Sequence, residues 1–545
     1  MKNKEVPMFQ CPNCGGNLKF DIPSQQLGCE YCNARFDPYG FENKTSDAVE
    51  EKGFEEDYEV TIFTCPQCGG EILSTDNAAA GFCSFCGAST ILYSRISKER
   101  RPQYIIPFKK TKEDCKQAYA NLMKKAIFAP KDLKNPKKID SFRGIYMPYW
   151  AFYITQKGDI ALRAEKSHRR GDYIITDHYS LQGNLDAYYK GLSYDASSSF
   201  ADNISEAIAP YDVKGMKAFT PSYLSGFYAD TADVASLAYQ PEAEQFAFDE
   251  SMQAVRSLPA FSGYAISKPQ NGSFSPSFFH TKTETADQAM FPVWFMSYRN
   301  GDRVAYATVN GQTGKVVSDL PVDVKKYLLG SLVLALPLFI LFNLFMTLTP
   351  VKLLTLCAII ALVAVLISTI EIRSIIRKEN DTDDKGVLAI KNPEKLSQMN
   401  RQIKSKVSAK SSSGASTAII VIVIICCLLS FGLSVISSFG SMLSSGLIWL
   451  VLLIASIVIA VIGLSNINQV PGKKGLVGLI TALIGIAVGT AVRIIHPVSD
   501  IFYYGAAILS LVTVFFTLKD VIEQYNILST RKLPQFDKQG GDDRA

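Results

Sequence analysis

Two kinds of apolar pattern divide the chain near Lys326. Before it, apolar residues alternate with polar ones or recur every three to four positions in short blocks. After it they gather into runs of about 20 residues, the length that crosses a bilayer as helix. Six such runs are predicted spans: 327–348, 353–372, 417–437, 447–464, 476–492 and 501–518. A polar loop at 373–416 and a tail at 519–545 separate and end them.

In the first half, Thr111 can cap a helix with Glu113 and Asp114 in its first turn and Cys115, Ala118, Leu122 and Met123 on one face. Cys115 then reads as a small buried apolar side chain. A second helix is predicted at about 243–257. After the first comes Met147-Pro-Tyr-Trp-Ala-Phe-Tyr, then Gly158-Asp159 and the alternating Ile160-Ala-Leu-Arg-Ala. After the second comes Phe291-Pro-Val-Trp-Phe-Met-Ser-Tyr, then Gly301-Asp302 and Val304-Ala-Tyr-Ala-Thr-Val. Both predict strand, turn, strand. Residues 100–325 are therefore expected to form an α+β region of two related units, about 100–200 and 201–325. The turn pairs Asn310-Gly311 and Thr313-Gly314 predict a closing hairpin before the membrane region.

Composition changes the picture at the N-terminus, where eight of the twelve cysteines fall in the first 90 residues. They form a repeat. Cys11-Pro-Asn-Cys14-Gly-Gly and Cys65-Pro-Gln-Cys68-Gly-Gly are each followed, after fourteen residues, by a second pair, Cys29/Cys32 and Cys83/Cys86. A Cys-x-x-Cys turn aims two sulfurs at one point, and Gly15, Gly16, Gly69 and Gly70 permit the tight knuckle. Two knuckles complete a closed tetrahedral sulfur site suited to a structural zinc ion, with no position left for catalytic water. Two Zn2+ are expected, in ribbons at 8–36 and 62–92 joined by an acidic linker at 37–61. The repeated spacing favours two independent ribbons, with cross-bracing as the alternative. So small a ribbon has little apolar core, so zinc is expected to supply most of the folding energy of residues 1–90.

Disulfides are disfavoured because MKNKEVPMFQ has no apolar signal segment. The loop flanks agree: Lys325/Lys326, the 373–410 segment with ten Lys/Arg against five acids, Lys473/Lys474 and the tail from Lys519 fall on one side of six spans. The positive-inside rule assigns that side, with ribbons and tail, to the cytoplasm.

Charge alters the functional expectation. Residues 1–100 hold nine Lys/Arg and fifteen Asp/Glu, a net of −6. Phosphate backbones need clustered cations, so nucleic acid is not the expected partner. Between Arg101 and Arg143 the balance reverses to twelve Lys/Arg against four acids, and the lysines from Lys109 to Lys138 suit either a solvated helix face or contact with anionic lipid. No catalytic set emerges. His168 and His178 with Asp172 and Asp177 match no common metal spacing, Ser197–Ser199 lacks a nucleophile elbow, and Gly314-Lys315 lacks the full phosphate-loop pattern. Glu371 and Arg493 lie at span ends, and no acidic or basic residue lies in a span interior; Cys426 and Cys427 read as packing residues, and Gly485/Gly489 with Gly478/Ala482 as close helix contacts.

The ordered set Cys-Pro-x-Cys-Gly-Gly, Tyr104-Ile-Ile-Pro-Phe-Lys, Tyr146-Met-Pro-Tyr-Trp, Pro210-Tyr-Asp, Pro221-Ser-Tyr-Leu-Ser-Gly-Phe-Tyr-Ala-Asp, Pro292-Val-Trp and Asn310-Gly-Gln-Thr-Gly-Lys resembles the bacterial double zinc-ribbon membrane proteins of the YdjG type, often labelled TFIIB-type zinc ribbon proteins. The similarity spans about residues 8–326. It implies the eight cysteines as metal ligands, a place in the bacterial cell membrane, and a role beside phage-shock and SPFH-domain proteins in envelope stress. The resulting expectation is a multidomain, non-enzymatic adaptor: two β-rich ribbons, an α+β cytosolic region, a transmembrane hairpin at 327–372, a basic loop at 373–416, four helices at 417–518 and a cytosolic tail. A membrane-tethered nucleic-acid regulator, and a transporter or enzyme with a regulatory zinc domain, are the alternatives.

Overall fold

The computed structural model describes residues 9–40, 57–74, 83–86, 93–135, 139, 141–269, 276–345, 349–380, 384–405, 452–459, 461, 463–464 and 476–534. The first ribbon is an antiparallel sheet of its own, β1 (Leu18–Asp21), β2 (Gln26–Cys29) and β3 (Arg35–Phe36). The second contributes β4 (Asp57–Thr64), β5 (Glu71–Ser74) and β6 (Tyr93–Arg100) to a thirteen-stranded sheet. Next come β7 (Tyr104–Ile105), α1 (Lys112–Lys125), the hairpin β8 (Arg143–Arg170) and β9 (Tyr173–Asp195), α2 (Asp202–Ile208), β10 (Lys217–Ala218) and β11 (Tyr228–Ala229). They are followed by α3 (Gln240–Ser257), β12 (Ala265–Pro269), the hairpin β13 (Lys282–Asn300) and β14 (Arg303–Asn310), and β15 (Val316–Ser318). Helices α4 (Val324–Phe345), α5 (Pro350–Glu379), α6 (Lys385–Lys391), α7 (Pro393–Ser405), α8 (Leu476–Ile495) and α9 (Asp500–Leu528) lead to a last strand, β16 (Arg531–Lys532).

The two echoing segments lie side by side at the centre of the large sheet. β8 and β13 run antiparallel with Met147 opposite Phe291, so the two echoing segments meet at their first residues and diverge from there. Both strands are buried on two faces here, which is why they read as near-continuous apolar runs. On one face Tyr146 and Trp294 pack with Phe108, Tyr119 and Met123; on the other Tyr149 and Phe291 stack at 4.5 Å and pack with Ile204 and Ile208. Each echoing Trp donates to a carbonyl, Trp150 to Val234 and Trp294 to Lys110, both at 2.8 Å.

Proline is unusual in a central strand because it breaks the ladder. Pro148 sits where β11, paired to Ile145 and Tyr146, gives way to β9, which starts opposite Tyr149. Pro292 lies just beyond the last β13–β14 pair, Val293 with Asn310. Neither missing N–H interrupts a pairing.

Helix α1 is capped as its sequence requires: Thr111 and Asp114 exchange hydrogen bonds in a capping box, and Cys115 is buried. The turn expected at Gly158-Asp159 does not form. β8 runs straight through it for 28 residues, and the chain reverses at Gly171-Asp172 instead. Gly158 is needed because the His280 ring lies where a Cβ would stand, 2.6 Å from Cδ2. Gly171 and Gly301, both at φ +64, open two-residue Gly-Asp turns of the hairpin kind.

Three helices are long and apolar enough to span a membrane among the described residues: α5, α8 and α9. They pack through Leu354, Cys357, Ala358, Ile486, Ala506 and Ala507. Gly478 and Gly485 of α8 face Thr517, Thr513 and Ser510 of α9, a close approach through small residues. Among the described residues the expected six spans are not all present. The first is helical as α4, but 417–437 lies outside the described residues, and 447–464 is described only in part, with helix over 452–459. Cys426 and Cys427 also lie outside them. α9 outruns its predicted span by a further ten residues, to Leu528.

At the end of β9, Asp195 is buried with Oδ2 unpaired, beside the Asp202 and Asp384 carboxylates. Burial, then those charges, push its carboxyl well above the usual range, so it is held neutral. A group raised in this way favours the fold at low pH and loses that contribution as pH climbs through its folded value. Asp195→Asn is therefore expected to match the parent in thermal stability near pH 4 and to exceed it near pH 8, by roughly 1–3 kcal/mol. Equal pH dependence of the two proteins by scanning fluorimetry would contradict this.

Candidate metal centres

Each knuckle is built the same way. Gly15 at φ +74 donates to Cys11 O and Gly69 at φ +72 to Cys65 O, both at 2.8 Å, in a left-handed conformation that a Cβ would strain. Cys11 N and Cys65 N return bonds to Gly16 O and Gly70 O. In the first ribbon Asn33, at φ 57, closes the second knuckle by donating to Cys29 O. Gly16 serves a separate purpose, since the Tyr31 ring occupies the place of its Cβ.

The eight sulfurs fall into two groups, Cys11/Cys14/Cys29/Cys32 and Cys65/Cys68/Cys83/Cys86, within which every Sγ lies within 4.8 Å of the others. The grouping follows the ribbons, so they are not cross-braced. Separations are 3.5 Å for Cys11–Cys32 and 3.4 Å for Cys14–Cys29, and 3.8 Å for Cys65–Cys86 and 3.7 Å for Cys68–Cys83. Tetrahedral zinc with sulfur at 2.3 Å places its ligands about 3.8 Å apart, so both groups fit the ion.

Electrostatics point the same way. The Cys32 and Tyr31 N–H groups hold the Cys29 thiol down at about 6, whereas Cys14, although Gly16 N–H lowers it, is pushed up to about 12 by the Cys29 and Cys32 thiols. In the second group Cys68, Cys83 and Cys86 direct their thiols at Cys65 and lower it, and Cys68 and Cys83 are raised in exchange. Four sulfurs this close cannot all carry charge unless a cation sits among them.

The ribbons differ in setting, and neither stands alone. In the first, Cys14 and Cys32 are exposed, yet Leu18, Phe20 and Leu27 join the same core as Ile105, Phe108 and Tyr146. Its dock is the 221–230 segment: Ser225 Oγ donates to Leu18 O, Phe20 N donates to Ser225 O, and Phe20 meets Tyr223 edge-on at 5.0 Å. In the second ribbon all four cysteines are buried, and Tyr306 of β14 donates its hydroxyl to Phe85 O at 2.8 Å. The expectation that zinc supplies most of the folding energy of residues 1–90 is therefore revised, because both ribbons share apolar core with the sheet. No local pattern in the sequence marked these docks.

The remaining candidates are dispersed. His168 and His178 lie near the tip of the β8–β9 hairpin, His168 3.7 Å from Asp177 and His178 3.4 Å from Glu165; Asp172 is in the turn. Ser197 Oγ donates to Asp230, and Ser198 to Asp233. The Gln312 and Thr313 amides donate to Asn310 Oδ1, which turns them inward rather than toward a phosphate.

The chain is similar to the uncharacterized protein YdjG of Bacillus subtilis (strain 168), 28% identical over 319 residues that cover 58% of this chain and 90% of that relative. No family model matches, and no solved structure matches.

Elemental analysis of the purified protein is expected to give two zinc ions per chain, and one after Cys11→Ser/Cys14→Ser or Cys65→Ser/Cys68→Ser. Because half of the first sulfur group is exposed and none of the second, a colorimetric chelator should strip the first ion at least about tenfold faster. A single release phase would refute the difference in setting.

Proposed function

We propose that this protein is a membrane-anchored adaptor that presents the β8–β9 hairpin to a protein partner on the cytosolic face. The hairpin is the observation that carries the reading. At about 3.3 Å per residue, the 28 residues of β8 extend about 90 Å. β13 is antiparallel to β8, so its Gly301-Asp302 turn lies at the opposite end from Gly171-Asp172. That turn is the one beside the last helix, where Leu533 N donates to Asp302 O. The hairpin therefore leads away from the apolar helices. Beyond Glu165, where β12 begins, β8 and β9 pair with each other and with no third strand among the described residues. Tyr173 and Ile174 near the tip are 77% and 75% exposed.

Six spans with both termini cytoplasmic complete this reading, as does a partner of the phage-shock or SPFH class; the flanking charges support the first and the family resemblance the second. A photoreactive residue at Tyr173 or Ile174 is expected to give a discrete cross-linked partner in native membranes, and one at Asp159, on the body of the strand, to give none. Absence of adducts at both tip positions would remove the hairpin from the role. Cys65→Ser/Cys68→Ser should reduce the adduct if the second ribbon holds the sheet in shape.

Contact with anionic lipid through the lysine segment is a second reading, favoured by a specific placement. Lys326 at the start of α4 bonds Ala129 O at 2.6 Å, Asp323 N donates to Phe128 O, and Phe128 packs on Tyr327 at 5.3 Å. The exposed Lys124, Lys125, Lys131 and Lys134 thus lie beside the entry of the first apolar helix. In nanodiscs, amine labelling of these four should slow when phosphatidylcholine is replaced by phosphatidylglycerol, while Lys157 and Lys282 are unaffected. Equal labelling in both lipids would exclude the contact.

A further inference from the structure

The second cysteine group is joined by contiguous side chains to the ends of two apolar helices. Phe85, between Cys83 and Cys86, accepts the Tyr306 hydroxyl and packs on Phe295. Across the Tyr306 ring lies the Arg531 guanidinium, 5.7 Å from its centroid and 3.6 Å from Asp319, whose carboxylate also accepts Tyr306 N at 2.9 Å. Arg531 belongs to β16, which directly follows α9 and pairs with Arg303 and Val304 of β14. Leu533, the next residue but one, packs against the group of Phe63, Cys65, Cys68, Ile72, Cys83, Phe85 and Cys86.

The helix side of the seam is equally dense. Arg303 donates to Ile527 O at 2.7 Å and Thr530 O at 3.0 Å and pairs with Glu379 at 2.9 Å, the last residue of α5. Glu379 also holds Lys532 at 3.1 Å, and Lys378 bonds Leu528 O. Among the described residues the first cysteine group makes no bond to this seam; it docks on the 221–230 segment, whose Tyr228 reaches the second group apart from Tyr306 and Arg531.

We propose that the seam of Tyr306, Arg531 and Leu533 couples metal occupancy of Cys65/Cys68/Cys83/Cys86 to the attachment of β16, and so to the cytosolic-end packing of α5 and α9. The inference rests on zinc in the second ribbon and is independent of any partner. Zinc fixes the Cys83–Cys86 knuckle and with it Phe85 O, the acceptor for Tyr306. Loss of the ion frees that carbonyl and opens the apolar surface under Leu533, which loosens β16. Coupling of this kind is reciprocal: whatever weakens β16 must weaken metal retention by the same factor.

The test uses the full chain carrying Cys11→Ser/Cys14→Ser, so that only the second ion is counted, with zinc content measured first to establish loading. Tyr306→Phe removes one hydroxyl, and Arg531→Ala removes the ring contact and the Asp319 pair. Each is expected to weaken zinc affinity, read by equilibrium competition with a chelator, about fivefold or more, at the low end of typical coupling, and so to speed release. The matching background Cys65→Ser/Cys68→Ser, which keeps only the first ion, should release at the parental rate in both variants. In the reverse direction, Cys83→Ser/Cys86→Ser should raise amide hydrogen exchange over 527–534. Faster exchange at 527–534 in Arg531→Ala with unchanged release of the second ion would overturn the proposal, as would equal acceleration at both ions.

Discussion

Everything in the N-terminal half hangs on one antiparallel pairing, that of β8 with β13 across Met147 and Phe291. It sets two aromatic faces back to back, and each face then recruits a different covering. Tyr146 and Trp294 receive α1 and the first ribbon; Tyr149 and Phe291 receive α2 and the Pro210-Tyr211 segment. A one-residue slip would exchange the faces and unseat both coverings at once. The register is held by Pro148 and Pro292, which each pair across it while their carbonyls accept Ala196 N and Gly311 N, and by the two tryptophans that each lock to a neighbouring carbonyl.

Metal sites of this kind are often beads on a string, folding when an ion arrives. Here both sulfur groups are built into one frame, with the 221–230 segment touching each ribbon, and are given different exposures, so ions held there would experience different surroundings although their ligand spacing is identical. A chelator would meet the first group through the exposed Cys14 and Cys32, whereas all four sulfurs of the second are buried, with Phe85 among them and Tyr228 and Leu533 packed against them.

Much of this was legible in the residues themselves. The cysteine repeat gave both sulfur groups because ligand spacing is a local property, and Thr111 with Asp114 gave α1 because a capping box is local too. Apolar runs marked α5, α8 and α9 for the same reason. Gly158 was misleading: a glycine before an aspartate reads as a turn unless one knows that His280, 122 positions away in sequence, needs the space. The docking of Leu18 on Ser225, and of Phe85 on Tyr306, depends on surfaces that meet only after the sheet forms. β16 is two residues long and carries no periodic signal, so it read as tail.

That last strand has a temporal meaning. Arg303 is bonded to Thr530, 227 residues further along the chain, and almost all of the apolar helices lie between. At a synthesis rate of about 5–20 residues per second, the sheet edge at β14 waits on the order of 10–45 s for its partner. During that interval the Arg303–Val304 end of β14, beyond the stretch that β15 pairs, lacks its partner strand, an arrangement that favours strand addition by the wrong chain. The N-terminal half thus reaches its finished form only after α9 has been made, and a chain truncated before β16 would keep Arg303 and Val304 without that partner.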